Sequence, residues 1–352
     1  MKSIIHERPG VYSSYGASST IRGGRAVRAI GAAAKSTGGT PNEVVTVTSY
    51  EQGLTIFGED APGQAGMSTL LRLLFLGGAS TVAAVKVSGD GYEDAFAALQ
   101  AAEDVQVIVC DSADLEVQQA LRASLEAASA ARRERIAVVG MSGATTAELT
   151  ARAKALNSER MVLVGPDALD SAGKTLPGTL AASAVAAAIA VTRDPAIPLN
   201  GTTLPGLTGV SEDYGDNDID LLVRGGVTPL EAVGGAVSPV RGITTRTTTG
   251  GTSDATWREL TTILIVDDVI PTIRRSLRSR FSQTKNTLQT RGAIRSQTIV
   301  ELESKLRSEI IDSYSDVTVS ADGDDPTVCL VEFSFSVAHG LNQIYLTAHI
   351  TI

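Results

Sequence analysis

The sequence has 352 residues, of which 43% are hydrophobic, and its formal net charge is −9. A chain of this length rarely folds around a single core, so we expect two or three domains. The hydrophobic fraction is high enough to form such cores, so we do not expect a disordered chain. The longest apolar run, residues 181–191, is too short to span a bilayer, so we predict no direct membrane insertion. No apolar segment of signal-peptide length follows Met1, and we therefore expect folding in the cytosol.

The first predicted elements are extended. Residues 1–20 lack helical periodicity and contain the breakers Pro9 and Gly10, which is typical of an arm. Strands are then predicted within residues 25–36 and 41–49. Cys110 and Cys329 lie inside apolar runs, which indicates buried free thiols rather than a disulfide framework.

From about residue 67 amphipathic helices alternate with short Val- and Ile-rich strands. The alternation continues to the helix 180–191, as in the pair formed by strand 135–140 and helix 146–157. Continuous apolar strands separated by helices predict an α/β block whose mostly parallel sheet is covered on both faces.

Residues 193–255 are rich in proline and glycine, and we predict an acidic loop at 211–220 and a strand at 237–248. A long helical stretch is expected over roughly 257–313, with a break at Gly292. A β pair, 317–320 and 327–339, should follow.

The helical stretch carries a strong local charge. Residues 271–307 contain nine basic and two acidic side chains, giving +7, so the remainder of the chain carries −16. Such asymmetry indicates either a surface for a partner or a solvated helix face. One alternative is a nucleic-acid-binding protein that uses 271–307, although this segment lacks the aromatic side chains that stack on bases.

The other alternative is a small-molecule enzyme built on the α/β block, and its loops offer little chemistry. The turn GMSGAT has Gly140 and Gly143 but matches neither the dinucleotide nor the nucleophile-elbow pattern, so we interpret these glycines as tight-turn residues. The three histidines and two cysteines have no metal-site spacing. We therefore predict that the protein is not an enzyme and has no cofactor, metal or catalytic residue.

Five segments in order resemble contractile tail sheath proteins, the family found in phage tails and phage-tail-like bacteriocins. They are PGVY (9–12), the small-residue helix and its continuation (180–210), RGITTRTTTGG and the helix after it (241–281), KNTLQTRGAIRSQTIVELE (285–303) and NQIYLTAHITI (342–352).

The resemblance implies a fold in which an inner α+β domain is formed by both chain ends and an outer α/β domain is inserted. The corresponding boundaries are 1–22 for the N-terminal arm, 23–239 for the outer domain, 240–341 for the inner C-terminal domain and 342–352 for a donated strand. It also implies a subunit that polymerises as stacked six-fold rings around an inner tube and contracts to drive that tube through a cell envelope. The implied partners are copies of itself, the inner tail tube protein, and baseplate and tail terminator proteins, without nucleic acid. Assembly in the cytoplasm of a bacterial host is expected.

Two sets of residues are predicted to make these contacts. Four arginines are expected to face the inner tube: Arg274, Arg275, Arg278 and Arg280. Strand exchange between subunits is expected at Pro9, Gly10, Val11 and Tyr12 and at one face of the last strand: Ile344, Leu346, Ala348, Ile350 and Ile352. An apolar strand of this kind promotes aggregation unless it is paired, which favours donation to a neighbour.

Overall fold

A computed structural model describes residues 27–61, 64–343 and 345–348. Within that part of the chain the helices are α1 (Tyr50–Phe57), α2 (Met67–Leu76), α3 (Tyr92–Gln100), α4 (Leu115–Ala130), α5 (Thr146–Leu156), α6 (Gly178–Val191), α7 (Asp216–Arg224), α8 (Leu260–Phe281) and α9 (Leu288–Arg307).

The strands of the same residues form one large sheet and three small ones. They are β1 (Ala29–Ala34), β2 (Val44–Val47), β3 (Val82–Lys86), β4 (Val105–Cys110), β5 (Ile136–Gly140), β6 (Met161–Gly165), β7 (Ala168–Asp170), β8 (Thr175–Leu176), β9 (Leu207–Val210), β10 (Val227–Val233), β11 (Ala236–Pro239), β12 (Thr248–Thr249), β13 (Thr252–Ser253), β14 (Ile311–Ala321) and β15 (Cys329–Val337).

The large sheet has eight strands in the order β11-β10-β6-β5-β4-β1-β3-β2. Its six inner strands, from β10 to β3, are parallel, and the edge strands β2 and β11 pair antiparallel. The mostly parallel sheet predicted from the sequence is thus confirmed. Strand β1, the first of the described strands, lies between β3 and β4.

Helices cover both faces of the sheet, as the apolar runs indicated. One face packs against α1, α2 and α6, and the other against α3, α4, α5 and α7. Helix α6 is the most deeply enclosed, with only Val191 among its residues not buried. Its Ala-rich sequence lets it lie close to β4, β5 and β6.

A third apolar cluster joins α8, α9, β14 and β15. Helix α8 belongs to two clusters, because Leu260 and Ile263 pack with the large sheet whereas Val269 and Ile273 pack with α9. The β14–β15 pair is an antiparallel hairpin turned by residues 322–328, close to the predicted β pair.

The predicted helix break at Gly292 is wrong. The break falls at 282–287, and Gly292 lies inside α9. The Thr287 side chain accepts a hydrogen bond from the backbone N–H of Thr290, which caps the new helix. A helical glycine costs only about 1 kcal/mol, so one glycine does not end a helix that packs well.

Two predictions for the turn-rich region are also corrected. The acidic loop at 211–220 is partly helical, because α7 begins at Asp216 and has Asp216 and Asp218 in its first turn, where carboxylates favour a helix. The strand predicted at 237–248 is interrupted, because β11 ends at Pro239 and β12 begins at Thr248. In between, the backbone N–H of Ile243 donates to Oγ1 of Thr228 in β10, so a side chain takes the place of a backbone ladder partner.

The remaining predictions concern the two cysteines, membrane-spanning helices and metal sites. Cys110 is buried and free, as predicted, whereas Cys329 is free but only half-buried. No helix among the described residues has the length and apolarity needed to cross a membrane. Across 27–61, 64–343 and 345–348, no group of three or more His, Cys, Asp or Glu side chains could hold a metal ion.

Candidate assembly surfaces

The second half of α8 carries the four arginines predicted to face an inner tube, and the structure separates them. Arg274 Nη2 lies 2.8 Å from Glu134 Oε1 and is thereby turned toward the α/β block. Arg280 Nη1 donates to Gln297 Oε1 of α9 at 2.5 Å. These two guanidinium groups connect elements within the subunit.

Arg275 and Arg278 are the arginines of this set that remain available. Both are exposed, and their spacing of three residues places them on one face of α8. Arg275 Nε reaches only the carbonyl of Pro271 in its own helix, whereas Arg278 makes no hydrogen bond or ion pair with any described residue. A partner of opposite charge could therefore bind this face.

Helix α8 is attached to the α/β block by a buried ion pair that the sequence analysis missed. Arg160, just before β6, makes two hydrogen bonds to Asp267, at 2.9 and 3.1 Å, and both side chains are at most 15% exposed. Burial raises the pKa of the Asp267 carboxyl, and the Arg160 guanidinium opposes that rise. The neighbouring Asp268 is paired with Lys305 of α9.

The sequence signal for this pair is visible in retrospect. Asp267 and Asp268 interrupt an apolar run, residues 263–270, in which charged side chains are rare unless they are paired. Single-chain patterns do not show which basic residue, more than a hundred positions away, supplies the partner.

The β14–β15 hairpin forms the second candidate surface. One of its faces packs on α9 through residues such as Phe333 and Phe335, while Leu330 is 44% exposed. Among the described residues no further strand pairs with either edge of this hairpin. Both edges therefore offer backbone N–H and C=O groups to an added strand.

The segment after the hairpin is held to the subunit at residues 340–342 and is highly exposed beyond them. Gly340 lies against Pro198, and Asn342 accepts a hydrogen bond from the Asn200 side chain at 2.8 Å. Beyond this point Tyr345 and Leu346 are 87% and 92% exposed. Large side chains that protrude in this way have contacts to gain from a partner.

The predicted strand-exchange residues are only partly covered by the structure. Leu346 and Ala348 are exposed and lie in no strand. The other residues of this set lie outside the described residues: Pro9, Gly10, Val11, Tyr12, Ile344, Ile350 and Ile352. Their pairing with a neighbour stays a prediction.

The glycine-containing turn at the end of β5, residues 140–145, has a backbone N–H group bound by a side chain of the same subunit. The Asp167 carboxylate accepts hydrogen bonds from the backbone N–H groups of Gly143 and Gly178, at 2.9 and 2.7 Å. A Cβ on Gly140 would lie 2.1 Å from the carbonyl carbon of Gly178. The glycines thus permit a close approach of β5 to α6, and Asp167 takes the amides that a phosphate would need.

Two family models match successive parts of the chain. The family model described as the phage tail sheath protein central domain matches residues 85–245, and the phage tail sheath C-terminal domain matches 252–351. The tail sheath protein of Bacillus phage SP01 is 28% identical over 252 residues, which are 70% of this chain and 43% of that protein. The chain spans less than half the length of this curated relative.

Solved structures share the fold over nearly the whole chain. The sheath tail protein from Desulfitobacterium hafniense has a TM-score of 0.71 at 13% identity, covering 93% of this chain and all of that one. The helical sheath of the anti-feeding prophage in its contracted state gives 0.71 at 15% identity, covering 98% of this chain and 99% of that one. The contracted sheath complex of an extracellular contractile injection system gives 0.72 at 15% identity and covers 99% of both chains.

Two domain models of one protein type match successive parts of the chain and together cover most of it, and the fold agrees with solved sheath subunits. The chain therefore belongs to the phage tail sheath protein family, whose members are structural proteins of contractile tails.

Proposed function

We propose that this protein polymerises with copies of itself as stacked six-fold rings around an inner tube, and that the polymer contracts to drive the tube through a target cell envelope. The observation that carries the proposal is a two-stranded hairpin with both edges unpaired among the described residues, followed by a segment in which Leu346 is exposed.

Strand exchange is the proposed link between subunits. Residues 9–12 and 342–352 of one copy add to the sheet of a neighbour, so that main-chain hydrogen bonds provide affinity and alternate side chains provide register. Because the donor and acceptor surfaces differ, such a contact is heterologous and generates a continuing helical array. The inner domain of residues 1–22 and 240–341 forms this mesh, and the outer domain of 23–239 faces away from the tube.

The inner tube is held by exposed charges on α8. Arg275 and Arg278 supply the contact, while Arg274 and Arg280 hold α8 to Glu134 and Gln297. Exposed ion pairs contribute about 0–1 kcal/mol each, so each subunit binds the tube weakly and many copies bind it collectively. Such contacts can separate one ring at a time when a baseplate releases the first ring.

The energy of contraction comes from subunit interfaces. An extended lattice, assembled on the tube between baseplate and terminator proteins, is kinetically trapped above a compact lattice with more buried surface. No nucleotide, cofactor or catalytic residue takes part, and assembly occurs in the cytoplasm of the bacterial host without nucleic acid or membrane insertion. Binding of nucleic acid through residues 271–307 is disfavoured, because three of their arginines already donate to groups of the subunit: Arg274, Arg280 and Arg295.

A pair of substitutions on opposite faces of the predicted strand 342–352 tests strand exchange. Leu346→Asp places a charge on the face predicted to pack into a neighbour, and Thr347→Asp places the same charge one residue further, on the opposite face. We expect purified Thr347→Asp protein to form long tubes in electron micrographs and Leu346→Asp protein to remain as small species. Equal tube formation by both variants would contradict the proposed pairing.

A further inference from the structure

The first described residues of the chain are fixed to the end of the buried helix α6. The backbone N–H groups of Val27 and Arg28 both donate to the carbonyl of Ala190, at 2.9 and 3.2 Å. Arg28 Nη1 donates to the carbonyls of Ile189 and Thr192, at 3.0 and 2.6 Å. One residue therefore satisfies a set of helix C-terminal carbonyls that α6 itself leaves without partners.

These bonds attach the chain entry to the most enclosed parts of the fold. Helix α6 is buried over nearly its whole length and contacts β1, β4, β5 and β6. Immediately after Arg28 the chain forms β1, which pairs with β3 on one side and β4 on the other. A pull on the backbone before Val27 is carried first by the contacts of Val27 and Arg28 and then by the two ladders of hydrogen bonds that β1 makes.

Arg28 also faces the acidic pair of α8. Burial lowers the pKa of its guanidinium, and the carboxylates of Asp268 and Asp267 oppose this change. A cavity of about 590 Å³ lies here, between the starts of the sheet strands and α8, and Arg28, Asp267 and Asp268 are among its lining residues. Among the described residues no hydrogen bond or ion pair joins Arg28 to Asp267 or Asp268, so these carboxylates act on Arg28 only through their charge, across the cavity.

We propose that Arg28 is a positioning residue that transfers a pull on the N-terminal arm to α6 and the sheet beneath it, so that the α/β block moves as a unit when a neighbour draws on the arm. The proposal rests on the proposed function, in which residues 9–12 pair with a neighbouring subunit. It adds the place at which the force of that link enters the fold. A guanidinium suits this role because its several donors bind two carbonyls at once while its charge complements the helix C-terminus.

Single-molecule pulling on isolated subunits tests the proposal in two directions. In the first, one handle is a tag before residue 1 and the other is a peptide tag inserted after Gly323, in the exposed turn of the β14–β15 hairpin. In the second, the tag before residue 1 is replaced by one after Gly173, in the exposed turn between β7 and β8. Only the first direction pulls through Arg28.

The test variant is Arg28→Met, which keeps an apolar stem and loses the donors. The matched control is Arg152→Met, which removes a guanidinium donor to the carbonyl of Ala113 at a residue that does not line the cavity beside Arg28. We expect Arg28→Met to shorten the lifetime under constant force about tenfold in the first direction, equivalent to about 1.4 kcal/mol. In the second direction it should behave like the control.

An equal loss in both directions would show a general structural role and overturn the proposal, as would an unchanged lifetime in the first direction. Arg28→Lys, which keeps the charge with a single ammonium donor group, should give an intermediate lifetime and serves if the Met variant folds poorly. Because the measurement uses single subunits, its outcome is independent of whether tubes form. Failure of the unaltered protein to build tubes would refute the proposed function alone.

Discussion

The ion pair between Arg160 and Asp267 gives the sharpest prediction for stability. The substitution Asp267→Ala removes one partner and leaves the Arg160 charge nearly buried, since its side chain is 10% exposed. Breaking a buried pair in this way costs about 3–5 kcal/mol. With an unfolding entropy of about 2.1 cal/mol/K per residue, a cooperative unit of this length loses roughly 4–7 °C in Tm.

Thermal unfolding followed by fluorescence of Trp257, which packs against the core beside α8, measures the effect directly. The matched control is Asp90→Ala, which breaks the exposed pair with Lys35 and should leave Tm unchanged. The double variant Arg160→Met with Asp267→Leu removes both charges and should recover most of the loss. If Asp267→Ala lowers Tm no more than Asp90→Ala, the ion pair does not attach α8 to the α/β block.

Three further predictions address other parts of the fold. Gly292→Ala should stabilise the protein by about 0.5–1 kcal/mol in chemical denaturation, because the added methyl meets nothing within 4 Å and alanine favours a helix; destabilisation would contradict a continuous α9. Arg278→Ala should reduce the salt dependence of co-assembly with the inner tube, whereas Arg274→Ala should mainly lower subunit Tm; identical effects would refute their separate roles. Burial raises the pKa of Asp111, so its contribution to stability is complete below the unfolded pKa and is lost as pH rises through the folded pKa. The Tm of Asp111→Asn relative to the unaltered protein should therefore rise as pH increases above about 4, the pKa of an unfolded aspartate, and a constant difference would contradict the shift.

The α/β block was predictable because its signals are local. A strand buried on both faces must be continuously apolar, as the segment at 136–140 is, and the helices between such strands must be amphipathic. The order of the strands was not predictable in this way. Placing β1 between β3 and β4 depends on contacts between residues far apart in the chain.

For the candidate assembly surfaces, the sequence predicted which residues are involved but only partly which of them remain free for a partner. The cluster of arginines on α8 is evident in the sequence, yet the pairing of Arg274 with Glu134 follows from tertiary packing. No sequence pattern indicates the contacts of Arg28, because its partners are main-chain carbonyls, which every residue carries. The low helix propensity of glycine also led to the wrong position for the helix break, because packing along α9 outweighs the free-energy cost of Gly292.

The most direct test removes the segment proposed to link the subunits. Protein lacking residues 342–352 and full-length protein are purified in parallel and imaged by electron microscopy, with Trp257 fluorescence confirming that both are folded. We predict tubes for the full-length chain and unassembled subunits for the shortened one. Long contractile tubes built by the shortened protein would contradict strand exchange as the basis of the polymer.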